Sequence, residues 1–109
     1  MTLRLTVALA SLLAVTAPAM AQTYPTAPVK LIVTTGAGAS PDVIARILGD
    51  ALSKRWSQQV FVTNHPGAAG AIGMKIAGTA PADGHSVLFA MSSSFVALPE
   101  VTKGFPYDL

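Results

Sequence analysis

Short apolar runs alternate along the chain with segments whose apolar residues recur at helical spacing. Residues 29–34 (VKLIVT) form a β-branched run that stops at Thr35 and Gly36, which predicts a strand. Residues 36–39 (GAGA) read as a loop. Ser40-Pro41-Asp42 then reads as a helix start: Ser40 can cap, Pro41 suits the first helical position, and Asp42 suits the positive end of the dipole. Val43, Ile44, Ile47, Leu48, Ala51, Leu52 and Trp56 follow at helical spacing and are expected to form one buried stripe. Arg46, Asp50, Ser53 and Lys54 fall on the other face, with Arg46 solvated or paired to Asp42 or Asp50. Residues 59–63 (QVFVT) predict a second strand and 64–70 (NHPGAAG) a second glycine-bearing loop. Residues 71–79 predict a short helix with Ile72, Ile76 and Met74 inward, weakened by Gly73 and Gly78. Pro81-Ala82-Asp83-Gly84 is a turn, and residues 86–91 (SVLFAM) a third strand. Ser92-Ser93-Ser94 opens the next loop, with a third helix expected from Phe95 to Leu98, ahead of Pro99.

Strand, helix, strand, helix, strand is the order of an α/β fold with a parallel sheet and right-handed crossovers. The strands are continuous apolar runs, as expected where both faces are covered. All three strand-to-helix loops then emerge at one edge of the sheet, the carboxyl edge, where open α/β sheets bind ligands.

The region before the first strand changes the picture of composition. The chain has 109 residues, of which 51% are hydrophobic and 11% charged. Part of that hydrophobicity lies in residues 5–16 (LTVALASLLAVT), which follow Arg4 and precede Pro18 and Ala19-Met20-Ala21. This is the pattern of a secretory signal peptide over residues 1–21, cleaved between Ala21 and Gln22. The run is short against the ~20 residues of a bilayer span. Residues 22–109 then form the exported domain. A net charge of +2 is too weak for an electrostatic nucleic-acid footprint. The absence of cysteine excludes a disulfide framework, a thiolate zinc site and a cysteine nucleophile.

The three loops share one chemistry. They are rich in glycine, alanine and serine and hold no lysine or arginine. Small side chains let a ligand approach the backbone, helix amino termini offer free N–H groups, and serine hydroxyls add donors. Such loops suit a small anion, a carboxylate, held by hydrogen bonds. Other chemistries fit poorly. Gly36-x-Gly38 begins a dinucleotide fingerprint, but Pro41 stands at its third glycine and Asn64 where an acid should close the second strand. His65, His85, Asp83 and Ser92–Ser94 supply the atoms of a hydrolytic triad without a GxSxG elbow, and Asp83 in its PADG turn is expected to bond its own backbone. The two histidines and scattered acids lack metal-ligand spacing. No catalytic residue, metal or cofactor is expected.

Several segments together resemble the substrate-binding receptors of tripartite tricarboxylate transporters, the Bug family. They are Tyr24-Pro25, residues 28–33 (PVKLIV), Gly38 and Ser40 before residues 42–46 (DVIAR), residues 62–64 (VTN), 66–70 (PGAAG), 80–85 (APADGH) and 106–108 (PYD). The resemblance implies the first lobe of a two-lobed, type II-like periplasmic binding protein, with a small organic carboxylate as ligand and the membrane subunits of the transporter as partner. It implies ligand contact by Gly38, Ala39 and Ser40; by Asn64, Gly67, Ala68, Ala69 and Gly70; and by Ser92, Ser93 and Ser94. The chain departs from the family pattern at Thr35-Gly36-Ala37-Gly38-Ala39, at His65 and His85, and at Ala69 in place of a glycine. The methyl of Ala69 is expected to narrow the approach or to force a different backbone angle. Family members are longer, so a truncated lobe with weak binding is expected, and the alternative is a non-binding remnant or interaction module.

Overall fold

The structure, a computed structural model, describes residues 23–101. The segment read as a signal peptide and the PYD segment lie outside the described residues. Three strands, β1 (Val29–Val33), β2 (Val60–Asn64) and β3 (Ser86–Phe89), form one sheet in the order β2-β1-β3. Every pair is parallel, with Leu31 opposite both Val62 and Val87. Helix α1 (Ser40–Trp56) joins β1 to β2, and helix α2 (Ala71–Gly78) joins β2 to β3. Helix α3 (Ser92–Val101) follows β3. The α/β fold with a parallel sheet is the one the sequence order predicts.

Successive residues of a strand point to opposite faces, and β1 is buried on both. Val29, Leu31 and Val33 cluster with Ala45 of α1 and with Val60, and Leu52, Trp56, Val62 and Phe89 pack against them. Ile32 is fully buried on the other face, where Gly73 of α2 lies against Thr34. A Cβ at Gly73 would sit 2.9 Å from Thr34 Cγ2 and 3.2 Å from the His65 carbonyl oxygen. The glycine that weakens α2 as a helix is therefore what lets it approach the sheet.

The buried stripe of α1 differs from expectation. Asp42, Ala45 and Gly49 are the buried positions, continued by the partly buried Leu52 and Trp56. Val43, Ile44, Ile47 and Leu48 face outward, Ile44 at 55% and Ile47 at 66% exposure. Close approach explains the choice: a Cβ at Gly49 would lie 3.6 Å from Val60 and 3.7 Å from Leu31, so small residues are needed on the inward face. Ser40 begins α1 but makes no capping bond; Ala39 is the N-cap and Asp42 reaches back to the Gly38 N–H instead. In α2, Met74 is buried and Ile76 partly so, while Ile72 is exposed. Ser92–Ser94 form the first turn of α3 rather than a loop, and the helix continues through Pro99. Tyr24 anchors the lead-in by donating to the Gly84 carbonyl at 2.7 Å and meeting the Trp56 ring edge-on at 5.6 Å.

Candidate functional site

With the order β2-β1-β3, the connection out of β1 leads to β2 on one side, while β3 lies on the other side of β1. The carboxyl ends of β1 and β3 therefore flank a topological switch point, the place where open α/β sheets form a crevice. A cleft of ≈ 240 Å³ lies there, lined by Thr34 and Thr35 after β1, Gly67, Ala69 and Gly70 after β2, and Met91, Ser93, Ser94 and Ala97 around the start of α3. No charged side chain is in that lining. Its polar groups are hydroxyls and backbone. A second depression, of ≈ 420 Å³, lies between α1 and β2, where Arg46 and Asp50 bring opposite charges beside Val60, Phe61 and Val62.

The first wall of the cleft is fixed from behind. Asp42, only 2% exposed, accepts from the Gly38 N–H at 2.8 Å, from Arg46 Nε at 3.1 Å and from Asn64 Nδ2 at 2.9 Å. Arg46 Nη2 completes an ion pair with Asp42 at 3.0 Å and donates to Asn64 Oδ1 at 3.2 Å. Asn64 Nδ2 also donates to the Thr35 carbonyl at 3.1 Å. These bonds tie the loop after β1, the first turn of α1 and the end of β2 into one unit. The Arg46 bond, then those from Gly38 and Asn64, hold the Asp42 carboxyl down at a pKa of about 2. Beside this unit, Thr35 Oγ1 is buried with no hydrogen-bond partner.

The second wall is a left-handed turn. Gly67, Ala68, Ala69 and Gly70 have φ of 130°, 47°, 53° and 102°. The turn closes through the Gly70 N–H on the Gly67 carbonyl at 2.9 Å and through the Ala71 N–H on the Ala68 carbonyl. Ala69 thus occupies the left-handed region that glycine adopts freely, at a cost of about 1–2 kcal/mol for an L-residue. The third wall starts α3, where Ser94 is buried and donates through Oγ to the Ala69 carbonyl at 3.1 Å.

Of the residues singled out in the sequence, Gly67, Ala69, Gly70, Ser93 and Ser94 line the cleft together. Gly38 and Asn64 belong to the Asp42 unit behind it. Ala39 caps α1, whereas Ser40, Ala68 and Ser92 are exposed outside the lining. Thr34, Thr35, Met91 and Ala97 line the cleft but carry no sequence signal of their own; the ends of β1 and β3 in a β2-β1-β3 sheet are the signal that locates them. Asp83 bonds its own backbone as expected, accepting from the His85 N–H at 2.9 Å. Asp83 and His85 precede β3, at the opposite edge of the sheet from Ser92–Ser94, so these groups do not assemble as a triad.

A parallel α/β lobe with a small, uncharged, hydroxyl-lined crevice at its switch point is the architecture of a ligand-binding lobe. The comparisons identify the family. The model of the tripartite tricarboxylate transporter family receptor matches residues 44–109. A UPF0065 protein of Bordetella bronchiseptica is 44% identical over 98 residues, covering 89% of this chain and 29% of the relative. BugT of Bordetella pertussis is 39% identical over 96 residues, covering 87% and 29%. The fold superposes on a periplasmic transporter structure with a TM-score of 0.72 at 36% identity, over 78% of this chain and 29% of that one. It superposes on the periplasmic binding protein BugD with a TM-score of 0.71 at 34% identity, over 78% and 28%. The chain belongs to the tripartite tricarboxylate transporter receptor family, and it spans 29% of the length of the two Bordetella relatives.

Proposed function

We propose that this lobe is part of a periplasmic receptor that captures a small organic carboxylate and delivers it to the membrane subunits of a tripartite tricarboxylate-type transporter. Export follows from the leader read in residues 1–21, with cleavage between Ala21 and Gln22. The chain acts by binding and catalyses no reaction. The observation that carries this reading is the cleft itself. Its lining offers hydroxyls, backbone and the first turn of α3, with no basic side chain. Helix amino termini and hydroxyl donors favour a carboxylate without a salt bridge. The ≈ 240 Å³ volume is that of a site for a small ligand.

A melting experiment with succinate, citrate and uncharged succinamide tests the reading. A ligand that binds only the folded state raises the melting temperature with its concentration. Both carboxylates are expected to give a saturable rise at millimolar concentration, and succinamide none. An equal response to succinamide overturns the carboxylate assignment, and no response to any of the three overturns capture in favour of a non-binding module.

A further inference from the structure

A hydroxyl group has one proton to donate. That of Ser94 is committed to the Ala69 carbonyl at 3.1 Å, and the residue is 2% exposed. It is therefore not free to donate to a ligand carboxylate in the same state. Ser94 also fits closely against the turn it bonds: a Cβ at Gly70 would lie 2.7 Å from Ser94 Oγ. The turn is in need of such a hold. Two of its four positive-φ residues are alanines, for which the left-handed region is disfavoured. Sequence-local bonds close its ends, but the carbonyl of Ala69 is held from 25 residues away. Ser93, by contrast, is exposed and lines the same cleft.

We propose that Ser94 is a positioning residue that locks the Gly67–Gly70 turn in its left-handed form, and that hydroxyl contact with the ligand at the start of α3 falls to Ser93. The lock stands on the geometry of the chain alone; its consequence for ligand binding rests on the receptor reading above. The two roles separate in a cycle of variants because glycine at position 69 adopts the left-handed form without help. Removing the Ser94 hydroxyl then matters much less once glycine stands at 69, the residue whose carbonyl it holds, with Ala68 left as the one alanine of the turn at positive φ.

The experiment is amide hydrogen exchange of Gly70 and Ala71 together with succinate affinity, in Ser94→Ala, Ala69→Gly, the double variant and Ser93→Ala. Ser94→Ala is expected to speed exchange of both amides and weaken succinate binding, each by about tenfold, the worth of one lost hydrogen bond. The double variant returns both quantities toward those of Ala69→Gly. Ser93→Ala weakens binding, leaves exchange unchanged and is not rescued by Ala69→Gly. If Ser94→Ala does not fold, Ser94→Cys keeps the shape with a weaker donor and reads the same quantities. Unchanged exchange in Ser94→Ala, or no recovery in the double variant, overturns the lock. Unchanged succinate affinity in Ser93→Ala overturns the assignment of ligand contact. Failure of the unaltered chain to bind succinate overturns the receptor reading, while the exchange measurements still decide the lock.

Discussion

Gly70→Ala is expected to be the most damaging single methyl that the cleft can receive. Gly70 is buried with φ of 102°, a conformation that L-residues rarely adopt. An added Cβ would lie 2.7 Å from Ser94 Oγ and 3.4 Å from both Ser94 Cβ and Thr34 Cβ. Backbone strain of this kind costs about 1–3 kcal/mol. Overpacking adds about 1–3 kcal/mol, because the neighbours stand directly after β1 and in the first turn of α3 and cannot retreat independently. The combined loss is large against the roughly 5–15 kcal/mol that stabilises a folded domain. Thermal melting is expected to drop by more than about 10 °C. Gly38→Ala provides the contrast. Gly38 has φ of 83°, but no atom stands within 4 Å of its would-be Cβ, so only the strain is incurred. Equal losses in the two variants would show that the contact of the turn with Ser94 and Thr34 contributes nothing.

The second large effect is on acid stability. Asp42 has an ordinary carboxylate value of 3.8 that the fold lowers to about 2. As pH falls from about 4 toward 2, the unfolded chain takes up the Asp42 proton while the folded chain resists it, so the equilibrium moves toward unfolding. The stabilisation is fully present above pH 4 and is lost by the time pH has passed through 2. Asp83 is also lowered, chiefly by the bond from the His85 N–H, and contributes in the same direction. The difference between the unaltered chain and Asp42→Asn isolates the Asp42 share. That variant is expected to be less stable at pH 7, to shed the part of the acid transition between pH 4 and 2, and to converge on the unaltered chain below pH 2. Denaturant midpoints across pH 2–7 measure it. Parallel curves would mean that Asp42 is ionised equally easily in both states.

Much of the fold was legible because its signals are local. The apolar runs at β1, β2 and β3 and the Ser40-Pro41-Asp42 start place four elements within a residue or two of their observed bounds. The inward face of α1 was not legible, because reading by hydrophobicity favours Ile44 and Ile47 over Ala45 and Gly49. Close packing selects the small residues, and a hydrogen-bond unit draws in Asp42, which hydropathy places outside. Three consecutive serines look like a loop, and nothing in them announces that they form the first turn of α3. The Gly67–Gly70 segment was legible as a turn but not in its handedness. Ala69 lines the cleft, and its backbone sits in the left-handed region, with φ of 53°. Thr34 and Thr35 became part of the site only when the strand order put the ends of β1 and β3 side by side.

The most direct test of a carboxylate-receiving cleft at the switch point is a backbone amide NMR titration of the chain with succinate. Binding there is expected to shift the amides of Thr34, Thr35, Gly67, Ala69, Gly70, Ser93 and Ser94 together along one saturating curve. The amides of Arg46, Asp50 and Phe61, which border the other depression, are expected to stay in place. Shifts centred on Arg46 and Phe61, or none at saturating succinate, would contradict the account.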